Sequence, residues 1–172
     1  MKKLIWFLLI ILFGLSSGQN IEPVRKTVQK INQIKDFKTT TVPYSYFMDS
    51  YQVTDNGIEL KGFYKNNALK KMEHFVGLSA WNIVTEYFFS ENHQLVFVHS
   101  IKYQTIDENG YLKKPQKLSE IRCYYENGRL IKSVGTFNNE EKTDYLKESQ
   151  NLKNDLKNYK NSNSKTLQLK NP

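Results

Sequence analysis

Hydrophobic and polar residues alternate along most of the chain between residues 44 and 137. Many of the apolar positions hold aromatic or β-branched side chains, which favour strands. Turn-forming segments interrupt the alternation at residues 55–57, 66–67, 91–93, 107–110 and 127–128. Short polar turns between alternating segments are typical of β-hairpins. The pattern therefore predicts an antiparallel meander of about six to seven strands over residues 43–137.

Three of the predicted hairpins share one pattern, in which two aromatic residues, a polar turn with asparagine and a leucine follow one another. They are GFYKNNALKKM (62–72), YFFSENHQLVFV (87–98) and CYYENGRLIKS (123–133). The middle loop is one residue longer than the others, a length that is typical of a bulged hairpin. The turns predict three cross-strand pairs, namely Tyr64 with Leu69, Phe89 with Leu95 and Tyr125 with Leu130.

Alternation outward from these pairs assigns each side chain to one of two faces of the sheet. We expect the N-terminal helix to lie across the core-facing side. The residues predicted on that side are Ile58, Leu60, Tyr64, Leu69, Phe75, Trp81, Ile83, Tyr87, Phe89, Leu95, Phe97, Ile101, Tyr103, Ile121, Cys123, Tyr125, Leu130 and Val134.

The opposite face also carries apolar side chains, mixed with charged ones. An antiparallel sheet with one solvated face alternates more cleanly, so we expect something to cover part of this surface. The C-terminal helix packs there, or the surface binds a partner, a second copy or an apolar ligand, or the sheet curves around itself. The candidate binding residues are Phe63, Met72, Val84, Phe88, Val96, Val98 and Tyr124.

The N-terminal helix is predicted from residues 21–37. Val24, Val28 and Ile31 recur there at helical spacing, and Pro23 suits the first helical turn. This helix and a linker account for residues 19–42.

A second helix is predicted over residues 138–160, where four apolar side chains form one stripe. They are Tyr145, Leu152, Leu156 and Tyr159. Residues 161–172 are rich in Asn, Ser and Lys, so we expect a flexible tail. Together with the meander, the two helices define an α+β protein.

The first eighteen residues have the features of a signal peptide. Lys2 and Lys3 precede an apolar stretch from Leu4 to Phe13, and small residues lead up to Gly18. The apolar stretch is too short to span about 30 Å of hydrocarbon comfortably. Cleavage after Gly18 predicts a secreted or periplasmic protein that has no membrane span.

The hairpins between Gly62 and Val134 resemble those of a set of uncharacterised exported proteins of Bacteroidota, in which aromatic-pair, Asn-Gly and leucine hairpins follow a signal peptide. A weaker likeness exists to the hairpins of MORN-type repeats, although the turns are irregularly spaced here. The shared motifs are structural. The resemblance therefore implies export and a hairpin-rich sheet, and it implies no activity, cofactor or site.

The charge balance bears on possible partners. The 172 residues include 25 Lys and Arg against 17 Asp and Glu, a formal net charge of +8. The excess lies in the flanks of the predicted sheet, and 22 of the basic residues are Lys, which reads phosphates and bases less specifically than Arg. This distribution argues against nucleic-acid binding and indicates a solvated surface.

Residue types that carry chemistry are sparse. His74, His93 and His99 lack metal-site spacing, and alternation points them in three directions, with His99 towards the core. Cys123 is predicted to face the core as an inert side chain. The candidate carboxylates, for which alternation gives no catalytic pairing, are Glu73, Glu86 and Glu120. We therefore expect no enzyme, metal site or cofactor.

These observations predict an exported, non-catalytic module that binds a protein partner, a second copy of itself or an envelope component through the sheet. The alternative is a module for a small ligand, a sugar or a lipid, in an aromatic cleft. The residues proposed for that cleft are Trp81, Tyr87 and Tyr103.

Overall fold

The computed structural model describes residues 20–49, 54–136 and 143–169. The predicted signal peptide lies outside these ranges, within which the chain forms three helices and seven strands. The helices are α1 (Glu22–Asn32), α2 (Tyr44–Asp49) and α3 (Tyr145–Leu169). The strands are β1 (Lys38–Val42), β2 (Ile58–Lys65), β3 (Ala68–Gly77), β4 (Trp81–Phe89), β5 (Leu95–Asp107), β6 (Gly110–Glu126) and β7 (Arg129–Thr136).

All seven strands belong to one antiparallel sheet, in the order β1-β2-β3-β4-β5-β6-β7. Each strand pairs with its neighbours in sequence, so the sheet is a meander with β1 and β7 at its edges. The predicted α+β fold, with a meander, an N-terminal helix and a C-terminal helix, is confirmed. Strand β1 forms within the predicted linker, where consecutive threonines favour extended backbone.

The three predicted cross-strand pairs are all present. They are Tyr64 with Leu69, Phe89 with Leu95 and Tyr125 with Leu130. In the first turn the φ angles of Asn66 and Asn67 are 51° and 61°. Positive φ at both central residues defines the type I′ turn, whose twist matches that of the flanking strands. Asparagine tolerates this conformation, so the turn residues fix the register.

A β-bulge follows the leucine in each of these hairpins. In the first hairpin the register moves from Tyr64 with Leu69 to Phe63 with Lys71, which leaves Lys70 as an extra residue. The other two hairpins repeat this shift. The three extra residues are Lys70, Val96 and Ile131. Each one reverses the alternation of side chains in the strand that returns from the turn.

Because of the bulges, the predicted division of residues between the two faces is wrong for part of the sheet. Strands β2, β4 and β6 keep the predicted assignment, and Leu60, Tyr87 and Cys123 are buried on one side. In the returning strands the assignment is reversed, so Met72 and Val98 join that same core. The predicted core-side residues that lie on the other face are Phe75, Phe97, Ile101, Tyr103 and Val134.

Helix α3 covers the face with the larger core, called the α3 face below. Leu156 packs so closely on Gly62 that a Cβ at this position would lie 2.9 Å from the leucine side chain. Helix α2 begins directly after Pro43, in a region that was predicted as strand. It adds the buried Phe47 to this core. The buried cluster comprises Val42, Phe47, Ile58, Leu60, Met72, Tyr87, Phe89, Leu95, Val98, Cys123, Tyr125, Tyr145, Leu152 and Leu156.

Helix α1 covers part of the opposite face, called the α1 face below. Its predicted apolar stripe is present, because Val24 and Ile31 are buried and Val28 is partly buried. The predicted placement of this helix was wrong, however. It lies on the face opposite Tyr87 and Cys123, because the bulge in β5 brings Phe97 beside two aromatic residues of the neighbouring strands. The sheet residues buried beneath α1 are Phe88, Phe97 and Tyr124.

Helix α3 is longer than predicted at its C-terminal end. The Asp144 carboxylate caps its start by accepting a hydrogen bond from the Lys147 backbone N–H, at 3.1 Å. Glycine and proline are absent between residues 145 and 169, so nothing in the sequence stops the helix. The helix therefore continues to Leu169, through most of the predicted flexible tail.

Candidate functional site

The candidate binding residues do not form one open patch. Phe88 and Tyr124 are buried beneath α1, and Val96 packs against the same cluster from its bulge. Met72 and Val98 are buried in the core under α3. The two that remain lie on the α1 face with intermediate exposure, and they are Phe63 and Val84. The chain's own helices thus cover most of the surface that the sequence offered to a partner.

The three residues of the alternative aromatic cleft lie apart. Tyr87 is buried under α3, whereas Trp81, at the start of the same strand, is about 20 Å away along the backbone. Tyr103 pairs with Asn82 and so lies on the α1 face. The Trp81 ring is instead covered by the Lys102 ammonium, 4.3 Å from the ring centroid. These three side chains do not line a common cavity.

A row of charged side chains crosses the α1 face from β3 to β6. Nδ1 of His99 lies 3.4 Å from a Glu86 oxygen, and Nε2 lies 2.9 Å from a Glu120 oxygen. Glu86 also pairs with Lys71, and Glu120 pairs with Arg122. Lys117 donates a 2.7 Å hydrogen bond to the second Glu120 oxygen. Alternation without the β5 bulge placed His99 on the opposite side from Glu86 and Glu120, which is why the row was missed. The same bulge follows the shorter turns of the other two hairpins, so loop length gave no signal for it.

The row holds its carboxylates ionised. The hydrogen bond from His99 lowers the pKa of Glu86 to about 2, against the opposing effect of burial and with a further contribution from Lys71. The hydrogen bond from Lys117 lowers the pKa of Glu120 to about 2, also against burial and with further contributions from His99 and Arg122. In return, the hydrogen bonds to Glu86 and Glu120 raise the pKa of His99, against the opposing effect of burial.

This arrangement favours a protonated imidazolium at His99. Both ring nitrogens lie within hydrogen-bond distance of carboxylates, and the direction of the pKa shift favours the form with a proton on each nitrogen. A general base needs a free lone pair, which an imidazolium lacks. Because the two carboxylates lie on opposite sides of the ring, they do not converge on one point. The row therefore has the geometry of an ionic cross-strand network.

Cys123 and His74 lie on the α3 face, away from this row. Cys123 is buried, with its Sγ 3.7 Å from the Ser133 hydroxyl. His74 lies 3.4 Å from a Glu148 oxygen of α3. Neither side chain faces the charged row, so the structure does not assemble these groups into one reactive site.

Strands β6 and β7, at one edge of the sheet, carry exposed apolar side chains. Among the described residues, four of the six large apolar side chains that are more than a third exposed lie on these two strands. We call them the exposed edge residues; they are Tyr111 (81 % exposed), Leu118 (50 %), Leu130 (43 %) and Val134 (43 %). They are spread along the two strands, because Leu130 lies on the α3 face, Val134 lies on the α1 face and Tyr111 lies next to the β5–β6 turn. Sequence reasoning placed Leu130 and Val134 in the core and did not single out the other two. Within the ranges that the structure describes, strand β7 pairs only with residues 120–126 of β6, so the segment KKPQK (113–117) lies at an edge of the sheet. Its Lys and Pro residues are typical of an edge strand, and this was the available signal.

A cleft of about 380 Å³ lies between α1 and the sheet. Phe97, Tyr124 and Val28 give it apolar walls, and polar side chains of α1 line the rest. These are Arg25, Gln29, Asn32 and Gln33. The volume falls in the range of about 300–1,000 Å³ that is typical of ligand sites.

In the described part of the chain, no group of three or more His, Cys, Asp or Glu side chains is arranged to hold a metal ion. The described helices include none long and apolar enough to cross a membrane. No protein-family model, curated protein or solved structure matches the chain.

Proposed function

We propose that this protein is an exported, non-catalytic binding module that recognises an extended segment of a partner protein along the β6–β7 edge. The observation that carries the proposal is that the edge strand β7 exposes two apolar side chains, Leu130 on the α3 face and Val134 on the α1 face. Strand β7 is hydrogen-bonded on one side to β6, and no strand of the described residues pairs with its other side. An exposed strand edge offers backbone donors and acceptors to an added strand, and apolar side chains beside it give specificity.

The charge of this edge indicates the chemistry of the partner. Arg129 and Lys132 of β7 are exposed, as are Lys113 and Lys114 of β6. Basic side chains beside a free edge disfavour pairing with a second, identical edge, since like charges would then lie opposite one another. They favour an extended segment that carries both acidic and apolar residues.

The use of the acid–base groups supports a non-catalytic role. His99 is held between two ionised carboxylates, each of which has a cationic partner of its own. Cys123 is buried on the other side of the sheet. A binding surface without convergent reactive groups is what an interaction module requires.

Export is part of the same proposal, and it rests on the N-terminal sequence. The basic start, the apolar stretch and the small residues before Gln19 are typical of a cleaved signal peptide. Cell fractionation followed by mass spectrometry tests it. We expect the mature chain to begin at Gln19 and to lie in the periplasm or the medium; an uncleaved chain in the cytoplasm would contradict export.

The test of binding is capture from the native envelope fraction by the tagged protein and two variants. Leu130→Lys with Val134→Lys places two ammonium groups on the edge and should abolish capture of the partner. Met48→Lys is the matched control, because Met48 is 50 % exposed on α2, far from β7 in the order of the sheet. Equal capture by all three proteins would refute the edge as the binding surface. A concentration-dependent dimer lost in the double variant would identify a second copy as the partner.

A further inference from the structure

We propose that the cleft between α1 and the sheet binds a small amphiphile with an apolar body and a carboxylate head. This site is separate from the exposed edge residues and does not depend on the proposed protein partner. The first argument is shape. Phe97, Tyr124 and Val28 form apolar walls, so an acyl chain or an aromatic ring gains by leaving water there.

The second argument is an uncompensated charge. Arg25 lines the cleft in the first turns of α1, and it forms no ion pair with any other residue that the structure describes. The side chains of Gln29, Asn32 and Gln33 likewise make no hydrogen bond to the described residues. A guanidinium and three amides at the mouth of an apolar cleft are thus free to donate hydrogen bonds to a ligand.

The third argument is the field of helix α1. The helix carries Arg25, Lys26 and Lys30 against a single acidic residue, Glu22. The positive end of the helix dipole lies at its N-terminus, near Arg25. Both effects favour an anionic group at the Arg25 end of the cleft. The apolar body then lies towards Phe97 and Tyr124.

Calorimetry with sodium decanoate, kept below its micelle concentration, tests the site against 1-decanol and decyltrimethylammonium. We expect saturable binding of decanoate, weaker binding of decanol and none of the ammonium compound. Arg25→Gln should weaken decanoate binding at least about tenfold and leave decanol binding unchanged, because it removes only the charge-assisted contact. Lys26→Gln, one position along the same helix and outside the cleft, is the matched control and should leave both affinities unchanged.

A second pair of variants tests the position of the site. Gln29 is exposed, so Gln29→Trp should fill the cleft without disturbing the core and should abolish binding of decanoate and decanol. Lys30→Trp adds the same side chain to the neighbouring position outside the cleft and should bind as the parent does. Absence of saturable decanoate binding would overturn the site, as would Gln29→Trp binding like the parent. Equal losses in Arg25→Gln and Lys26→Gln would overturn the role of Arg25.

Discussion

His99 of β5 and Glu120 of β6 are joined by a hydrogen bond of 2.9 Å between Nε2 and Oε1. The bond depends on the proton of the imidazole and on the charge of the carboxylate. Since the pKa of His99 is raised above 6.5, its contribution to stability is complete below that pH and is lost as pH rises through the raised value. The pKa of Glu120 is lowered to about 2, so its contribution is present above 4.5 and is lost as pH falls towards 2.

The first prediction follows from these two signs. His99→Asn should lower the free energy of unfolding by about 1 kcal/mol near pH 5.5, and the deficit should shrink as pH rises to 9. Urea unfolding of the parent and the variant across this range measures it. His93→Asn is the control, because His93 is exposed in a turn with a φ of 60° that asparagine also adopts. A deficit that is constant from pH 5.5 to pH 9 would show that His99 contributes through packing alone.

The second prediction concerns the close approach of Gly62 to Leu156. Gly62→Ala should destabilise the protein by about 1–3 kcal/mol, because the new methyl group meets the leucine side chain at 2.9 Å. Leu156→Ala should cost about 2–5 kcal/mol through the cavity that it leaves. In the double variant the added methyl group partly fills that cavity. The double variant should therefore lose less stability than the sum of the two single losses, in a double-mutant cycle measured by urea unfolding. A loss equal to that sum would mean that the two side chains do not meet.

The strand order and the hairpin registers could be predicted from sequence because local chemistry determines them. Asn66 and Asn67 adopt the positive φ angles of a type I′ turn, and this turn sets Tyr64 opposite Leu69. The faces could not be assigned in the same way. A single extra residue such as Val96 leaves no compositional mark, yet it reverses every later side chain of its strand.

The candidate binding residues were predicted wrongly for the same reason, because the bulges were not included in the alternation. The predicted surface contained Val98, which the bulge turns into the core, and it excluded His99, which the bulge turns outward to Glu86 and Glu120. Which helix covers which face is a question of tertiary packing, and the amphipathic stripe of α1 is compatible with either side. The stripe itself, with Val24 and Ile31 buried, was predictable from its spacing.

The third prediction tests the bulges directly. Deletion of Val96 removes the extra residue, so that Phe97 follows Leu95 directly. Regular alternation then keeps Phe97 on the α1 face and Val98 on the α3 face, where they lie in the parent. We therefore expect this variant to keep cooperative urea unfolding. Deletion of Ser100, in the regular part of the same strand, shifts the residues before it by one position and would bring Phe97 onto the α3 face and Val98 onto the α1 face. This second variant should lose cooperative unfolding, because part of both cores is then mispaired. Loss of cooperative unfolding in the Val96 variant as well would contradict the role of the bulge.

The fourth prediction concerns alkaline pH and the phenol of Tyr145 in the core under α3. Burial raises the pKa of Tyr145 to about 12, whereas the unfolded chain ionises this group near 10. Stability is therefore lost as pH rises from 10 to 12, by up to roughly 2–3 kcal/mol for this residue. Tyr145→Phe should lose correspondingly less stability between pH 9 and pH 11.5 in urea unfolding. Tyr111→Phe alters an exposed phenol and should follow the parent, and a Tyr145→Phe variant that also follows the parent would show that the phenol ionises without unfolding the core.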